Sequence, residues 1–307
     1  MLRLRSQCPS CETTPFEVIG REPFSAGAVR SYLEQYYEGR ADVASLGNFD
    51  YEVVRCVRCG LAYQRAVPTD ELATRIYEEW ILPTEKDRLH RERELNDYRY
   101  MAEQVQFIVL HFGLKPSQLR VLDFGMGWAE WASMARAFGC EVAGSELSLH
   151  RVQHARSIGI EVLDWAEIPK RKFHFINTEQ VFEHLLDPLL VLRHLKSALE
   201  ANGILRISVP DSRTTLRHYA RHKRFSSLTA TDLVPVAPLE HVNCFESRSL
   251  IAFAQQAGLR LIRPRLRDLY DASSGWMHPR NALKLGLRPI YRHIYPKSTI
   301  GYFALPG

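Results

Sequence analysis

A chain of 307 residues, 46% hydrophobic and 24% charged, has the composition of an ordinary globular protein and the length for one large domain or two smaller ones. No apolar run approaches the roughly 20 residues of a membrane span, and residues 1–8 lack the apolar core of a secretory signal. That points to the cytoplasm, and it reads the six cysteines as thiols or metal ligands rather than a disulfide framework. The net charge of +5 is uneven: residues 260–297 carry nine Lys/Arg against Asp268 and Asp271, which is either a solvated face or a surface for something anionic.

The first segment, residues 1–66, holds Cys8-Pro9-Ser10-Cys11 and Cys56-Val57-Arg58-Cys59, with 44 residues between the pairs. Two such pairs suit a tetrahedral zinc, each forming a tight knuckle with two thiolates at about 2.3 Å from the metal. Gly60 provides for the sharp turn after the second pair. A redox role needs only one pair, so the duplication favours a structural metal at Cys8, Cys11, Cys56 and Cys59. Between them lie expected strands at 16–19 and 51–55 and a short helix near 32–37. Residues 67–113 form a helical linker or lid, with Thr69 capping a helix over 70–80 and a second helix over 85–112, charged early and apolar late.

From residue 114 to 265 strands and helices alternate, as in a doubly wound sheet. Strands are expected at 120–124, 141–145, 160–163, 173–177 and 204–209, and at 259–262. Asp187-Pro188 opens a helix that Asn202-Gly203 closes. A helix near 212–224 carries Arg213, Arg217, Arg221 and Arg224 at helical spacing. The basic segment 266–307 supplies a last antiparallel strand at 299–305.

The chemistry centres on Val121-Leu122-Asp123-Phe124-Gly125-Met126-Gly127-Trp128-Ala129, a buried strand breaking into a glycine turn before a helix over 129–138. Gly125 and Gly127 let backbone approach a ligand where a Cβ would collide. Glu130 stands where a dinucleotide fingerprint needs a small residue, and with Asp123 it would repel a pyrophosphate. A cationic ligand such as S-adenosylmethionine fits better. Glu146 ends the second strand, where a carboxylate can accept from both ribose hydroxyls. Asp164 follows the third and is placed to accept from an adenine amine, with Trp165 or Leu147 against the ring. Trp128 either shapes the methionine pocket or covers the core.

These residues resemble the class I S-adenosylmethionine-dependent methyltransferases, and more narrowly the bacterial group with an N-terminal zinc-ribbon-like segment associated with sugar or polysaccharide modification. The likeness rests on Cys8 to Cys59, on the glycine turn, on Gln180-Val181-Phe182-Glu183-His184-Leu185-Leu186-Asp187-Pro188, and on Leu239-Glu240-His241-Val242-Asn243. It implies an α/β, Rossmann-like, doubly wound sheet of seven strands, and it places Asp123 at the cofactor's ammonium. It also implies methyl transfer to an oxygen of a sugar, nucleotide-sugar or other small or glycan-linked acceptor, an anionic one if the arginine helix grips it.

Glu183, His184 and His241 are the candidate catalytic residues, with three roles open. A histidine can act as the base that takes a hydroxyl proton. The three can hold a divalent ion that lowers the hydroxyl's pKa. Or Glu183-His184 only caps and packs a helix. The metal reading resembles small-RNA 2′-O-methyltransferases and quinone-pathway O-methyltransferases, but those place an acid where this chain has Gln180. A nucleic-acid methyltransferase is the alternative function, and a non-catalytic scaffold the third. The modest charge and the absence of an aromatic recognition motif argue against nucleic acid.

Overall fold

The structure is a computed structural model and describes residues 1–81, 93–265, 287 and 298–306. In chain order the strands are β1 (Leu2–Leu4), β2 (Phe16–Pro23), β3 (Asp50–Cys56), β4 (Ala62–Gln64), β5 (Ala66–Pro68), β6 (Arg120–Phe124), β7 (Glu141–Ser145), β8 (Glu161–Val162), β9 (Phe173–Glu179), β10 (Leu199–Pro210), β11 (Asn243–Cys244), β12 (Arg260–Ile262) and β13 (Ser298–Ala304). Contacts group the chain into two compact units, each built from three stretches: Met1–Arg91, Phe182–Leu189 and Val209–Gln256 form one, and Glu92–Val181, Leu190–Ser208 and Ala257–Gly307 the other.

The second unit holds the seven-stranded sheet, ordered β12-β13-β10-β9-β6-β7-β8. β6 pairs in parallel with β7 on one side and β9 on the other, while β12 and β13 are antiparallel. Val121, Leu122, Phe175, Ile176, Ile204 and Leu205 are buried, because parallel strands covered on both faces must be apolar almost throughout. Strand order reverses between β6 and β9, and at such a switch point the carboxyl ends of the strands open a crevice for ligands. The glycine turn leaves the sheet there. Helix Leu95–Phe112 buries Met101, Val105, Phe107 and Ile108 and stops at Gly113, in the left-handed region at φ 62°. Its expected beginning, 85–92, and residues 266–286 and 288–297 of the basic segment lie outside the described residues.

One boundary differs from expectation. The helix opened by Pro188 ends at Ser197, not at Asn202-Gly203, and those two residues lie inside β10. Leu199 already pairs with Phe173, the register then shifts, and pairing resumes at Ile204 with Phe175. The Asn-Gly pair therefore marks a bulge in a long strand rather than a helix stop.

The first unit has a four-stranded antiparallel sheet, β11-β4-β3-β2, and the pair β1-β5. Its core gathers Phe24, Leu33, Tyr51, Val53, Trp80, Leu216 and Tyr219. Helix Gly27–Tyr36 starts earlier than expected, since its cap, Ala26, makes no side-chain bond that could announce it. Thr69 caps as expected, accepting from the Leu72 amide at 3.4 Å. The helix it opens ends at Arg75 and continues as a π-turn over Ile76–Trp80. Among the described residues no helix is long and apolar enough to cross a membrane.

Candidate functional site

The glycine turn is held by backbone. Gly125 and Met126 both donate to the Ser145 carbonyl, at 2.9 and 3.1 Å, which ties the turn to the end of β7. The two glycines serve different needs. At Gly125 (φ 70°) a Cβ would lie 2.6 Å from Val181 Cγ2, so bulk is excluded. At Gly127 (φ 55°) a Cβ would meet nothing within 4 Å, so the requirement is conformational and the space beside the backbone is open. Ala129 also has φ 58°, an unfavourable conformation for a residue with a Cβ, costing about 1–2 kcal/mol. Gly144 was not anticipated: the Met126 sulfur packs against it so closely that a Cβ would lie at 2.1 Å.

Glu146 does more than the sequence suggested. Its Oε2 accepts from Gly127 N–H at 2.9 Å, and Oε1 accepts from the amides of Leu147 and Ser148 at 2.9 and 3.0 Å. The carboxylate thus clasps the turn to the second strand, and Oε2, which accepts from one N–H only, keeps acceptor capacity for a hydroxyl. Asp123 is buried, with Oδ1 accepting from Asn177 Nδ2 at 2.9 Å and Oδ2 buried without a hydrogen-bond partner. Burial pushes its carboxyl up to about 7, against the opposing pull of the Asn177 donor and the Ala132 N–H.

The reading of Glu130 needs correction. Arg93 donates to it at 3.0 Å and pairs with its second oxygen at 2.5 Å, so its charge is compensated and no longer argues against a pyrophosphate. That argument passes to Asp123 and Glu146. Asp164 is exposed and forms a capping box with Glu167 at the turn Trp165–Lys170, with a 2.8 Å bond from its own amide to the Glu167 carboxylate. Trp165 stacks on His194, ring centroids 3.5 Å apart, and lies 6.4 Å from the Phe124 ring. Leu147 is 97% exposed. Trp128 packs edge-on against His150 and His154, so it covers the helix Leu149–Ser157. A cavity of about 400 Å³ lies at the opposite, amino end of the strands. On its charged rim Arg171 pairs with Glu161, and it holds none of these residues.

Glu183, His184 and His241 come together in the first unit, with their ligand-type atoms all within 4.8 Å of one another. Glu183 is buried, and the two imidazole rings lie 4.7 Å apart at 76°. His184 Nδ1 is 3.1 Å from the Glu240 carbonyl and 3.1 Å from the Tyr77 hydroxyl. A carbonyl can only accept, so it favours the tautomer with the proton on Nδ1, which makes Nε2 the basic nitrogen. Arg5, buried at the chain's start, donates to the carbonyls of Val242 (2.9 Å) and Leu186 (2.8 Å) and to Asn243 Oδ1 (3.0 Å). Asn243 in turn donates to the Phe182 and Leu185 carbonyls, at 2.8 and 2.7 Å. Gln64 donates to the His241 carbonyl at 3.0 Å. Arg5, Gln64 and Tyr77 were missed, since no local spacing connects residues so far apart in the chain.

The four cysteines also converge. Cys8 and Cys59 sulfurs are 3.6 Å apart and Cys11 and Cys56 3.5 Å, and all four lie within 4.8 Å of one another. Thiolates bound to one zinc at about 2.3 Å sit about 3.8 Å from each other, so the set fits. Each knuckle ends in a left-handed residue, Glu12 at φ 59° and Gly60 at φ 74°. Hydrogen bonding to Cys8 pulls Cys59 down to about 5 despite burial, while Cys8 is pushed up. Backbone N–H groups of Ser10 and Cys11 favour the Cys8 thiolate, and that of Leu61 the Cys59 thiolate, as metal-bound sulfur requires.

Strand order, glycine turn and the acid ending β7 together define a class I methyltransferase fold. A family profile described as a methyltransferase domain matches residues 90–263, more than half of the 307 residues, and the chain belongs to that family: it is an S-adenosylmethionine-dependent methyltransferase. Among solved structures it is similar to the plantazolicin methyltransferase BpumL in complex with SAH, with TM-score 0.48 and 13% identity over 76% of this chain and 92% of that one. It is also similar to magnesium protoporphyrin IX methyltransferase (ChlM) from Synechocystis PCC 6803 with bound SAH, with TM-score 0.46 and 18% identity over 77% of this chain and 100% of that one. Among curated proteins none matches.

Proposed function

We propose that the enzyme methylates an oxygen of a sugar, nucleotide-sugar or other small or glycan-linked acceptor. The observation that carries this reading is the Glu240 carbonyl 3.1 Å from His184 Nδ1: it favours the tautomer in which Nε2 is the basic nitrogen, the one suited to take a proton from a hydroxyl. Bound S-adenosylmethionine supplies an electrophilic methyl on sulfur. Gly125 and Gly127 would lie along its methionine and ribose portion, Asp123 Oδ2 would accept from the ammonium, and Glu146 from the ribose hydroxyls. Asp164 would take the adenine amine, beside the exposed faces of Leu147 and Trp165. His241 and Glu183 would orient His184. The same donor set suits a divalent ion, but the neutral Gln180 lacks the charge that a second carboxylate would bring, and the metal-free base is preferred. Cys8, Cys11, Cys56 and Cys59 would hold one structural zinc. Arg217, Arg221 and Arg224 are exposed and outside every ion pair among the described residues, which supports an acceptor carrying phosphate or carboxylate.

The test is transfer of labelled methyl to a panel of nucleotide sugars and glycans, alongside calorimetry with S-adenosylhomocysteine. Label on a hydroxyl oxygen, lost in His184→Ala, is the expected result. Transfer to nitrogen, or full activity in that variant, would overturn it.

A further inference from the structure

Behind the glycine turn, the sheet core carries a chain of polar side chains that the cofactor roles above leave unused. Arg206, on β10, is wholly buried. It donates through Nη1 to Asn177 Oδ1 at 2.8 Å and through Nη2 to the Tyr100 hydroxyl at 2.8 Å, and it pairs with Glu179 Oε2 at 2.6 Å. The other Glu179 oxygen accepts from Ser208 at 2.7 Å. Asn177, on β9, then donates to Asp123 Oδ1 at 2.9 Å. A buried guanidinium costs several kcal/mol of desolvation, and an apolar residue in its place is often no less stable. Stability alone therefore gives little reason for this chain to end at Asp123.

The direction of the chain is fixed by chemistry. Arginine has donors and no acceptor, so the Asn177 carbonyl must face Arg206 and its amide N–H must face Asp123. Were the amide reversed, its oxygen would oppose a carboxylate oxygen. Asp123 also faces Gly144 across β7, which brings no charge, and the Ala132 N–H from the helix Glu130–Ala137. Of the charged groups around it, Arg206 favours its ionised form and Glu179 opposes it.

We propose that Arg206 and Asn177 are positioning residues for the cofactor: they engage Asp123 Oδ1 and commit Oδ2 to the ammonium of S-adenosylmethionine. The inference rests on the assignment of Asp123 to that ammonium. Asp123 titrates near 7, and the ammonium pairs with the ionised carboxylate, so affinity rises with pH through 7 and levels off above it. Removing the Asn177 donor, or the arginine that orients it, moves that rise to higher pH.

The experiment measures the dissociation constant of S-adenosylhomocysteine between pH 5.5 and 8.5 for four proteins: the unaltered enzyme, Asn177→Leu, Arg206→Met and Arg206→Lys. In the unaltered enzyme affinity falls about tenfold per pH unit below the midpoint. In Asn177→Leu and Arg206→Met the midpoint rises by about one unit, the worth of one hydrogen bond to a charged group, with affinity restored by pH 8.5. Arg206→Lys, which keeps a donor toward Asn177, stays near the unaltered profile. A purely structural role would lower affinity equally at every pH or only lower the melting temperature. Should Arg206→Met fail to fold, Asn177→Leu, which leaves every charge in place, decides the matter. Variant profiles that overlay the unaltered one overturn the relay alone. If the unaltered enzyme binds no S-adenosylhomocysteine at any pH, the assignment of Asp123 falls, and the relay with it.

Discussion

The glycine turn and the His184–His241 corner are built on opposite plans. The turn is made of residues 123–129 and the two strand ends beside them, and its contacts are backbone N–H groups meeting a carbonyl and a carboxylate. The corner is assembled from Arg5, Tyr77, residues 182–186 and residues 239–243, joined by side chains reaching across more than 100 positions. A site common to every acceptor can be written into one stretch of strand, turn and helix. One that must suit a particular acceptor draws on whatever parts of the chain the fold brings together.

If that division is functional, substitutions in the corner change turnover and leave S-adenosylhomocysteine binding alone, while those at the turn weaken that binding. The largest effect is expected from the cysteines. Zinc is expected at one per chain by metal analysis, and structural zinc sites bind with about 10–16 kcal/mol. Stripping it, or Cys56→Ser, unfolds the first unit and abolishes transfer, while affinity for S-adenosylhomocysteine persists. Loss of that affinity as well would erase the distinction.

His184→Ala comes next, lowering kcat by roughly 10²–10⁴-fold with unchanged cofactor affinity, as read by steady-state kinetics and calorimetry. Asp123→Asn is expected to abolish cofactor binding and yet stabilise the free protein. The folded value of about 7 lies above the unfolded value, so between about pH 4 and 7 the native state holds a proton that the unfolded chain has lost. Stability therefore drops as pH rises through that window, by at most about 4 kcal/mol. The variant should melt several degrees higher at pH 8 and no higher at pH 4. An equal gain at both would mean that charge is not the cause. Glu146→Gln keeps the shape but loses the charge that draws three N–H groups and the ribose, and should weaken S-adenosylhomocysteine binding by about 10–100-fold, or 1.4–2.8 kcal/mol. Gly127→Ala is the mildest, because space is open there and only the left-handed backbone resists, at about 1–2 kcal/mol of stability.

The same contrast governs how much could be read from residues alone. β6, the glycine turn and β7 were legible because strand, breaker and acid follow one another within a short stretch. Thr69 and Pro188 announced their helices through local capping chemistry. Asn202-Gly203 misled because a helix stop and a strand bulge call on the same residues, and only pairing with Phe173 distinguishes them. Glu130 misled because its charge is cancelled by Arg93, distant in sequence. Arg5 gave no sign of its place beneath two loops, since nothing in Leu4-Arg5-Ser6 records a partner at Val242.

That last bond bears on how the molecule comes into being on the ribosome. β4 needs β11 as its neighbour, and Arg5 needs residues 185, 186, 242 and 243. Arg5 and β4 therefore wait for these partners until the chain has been extended past residue 243, a delay of roughly 10–50 s at ordinary rates of synthesis. The four cysteines are all in hand by residue 59, joined through the antiparallel pair β2–β3. A zinc bound by them in that interval would hold β2 and β3 together before β11 and the partners of Arg5 have been made.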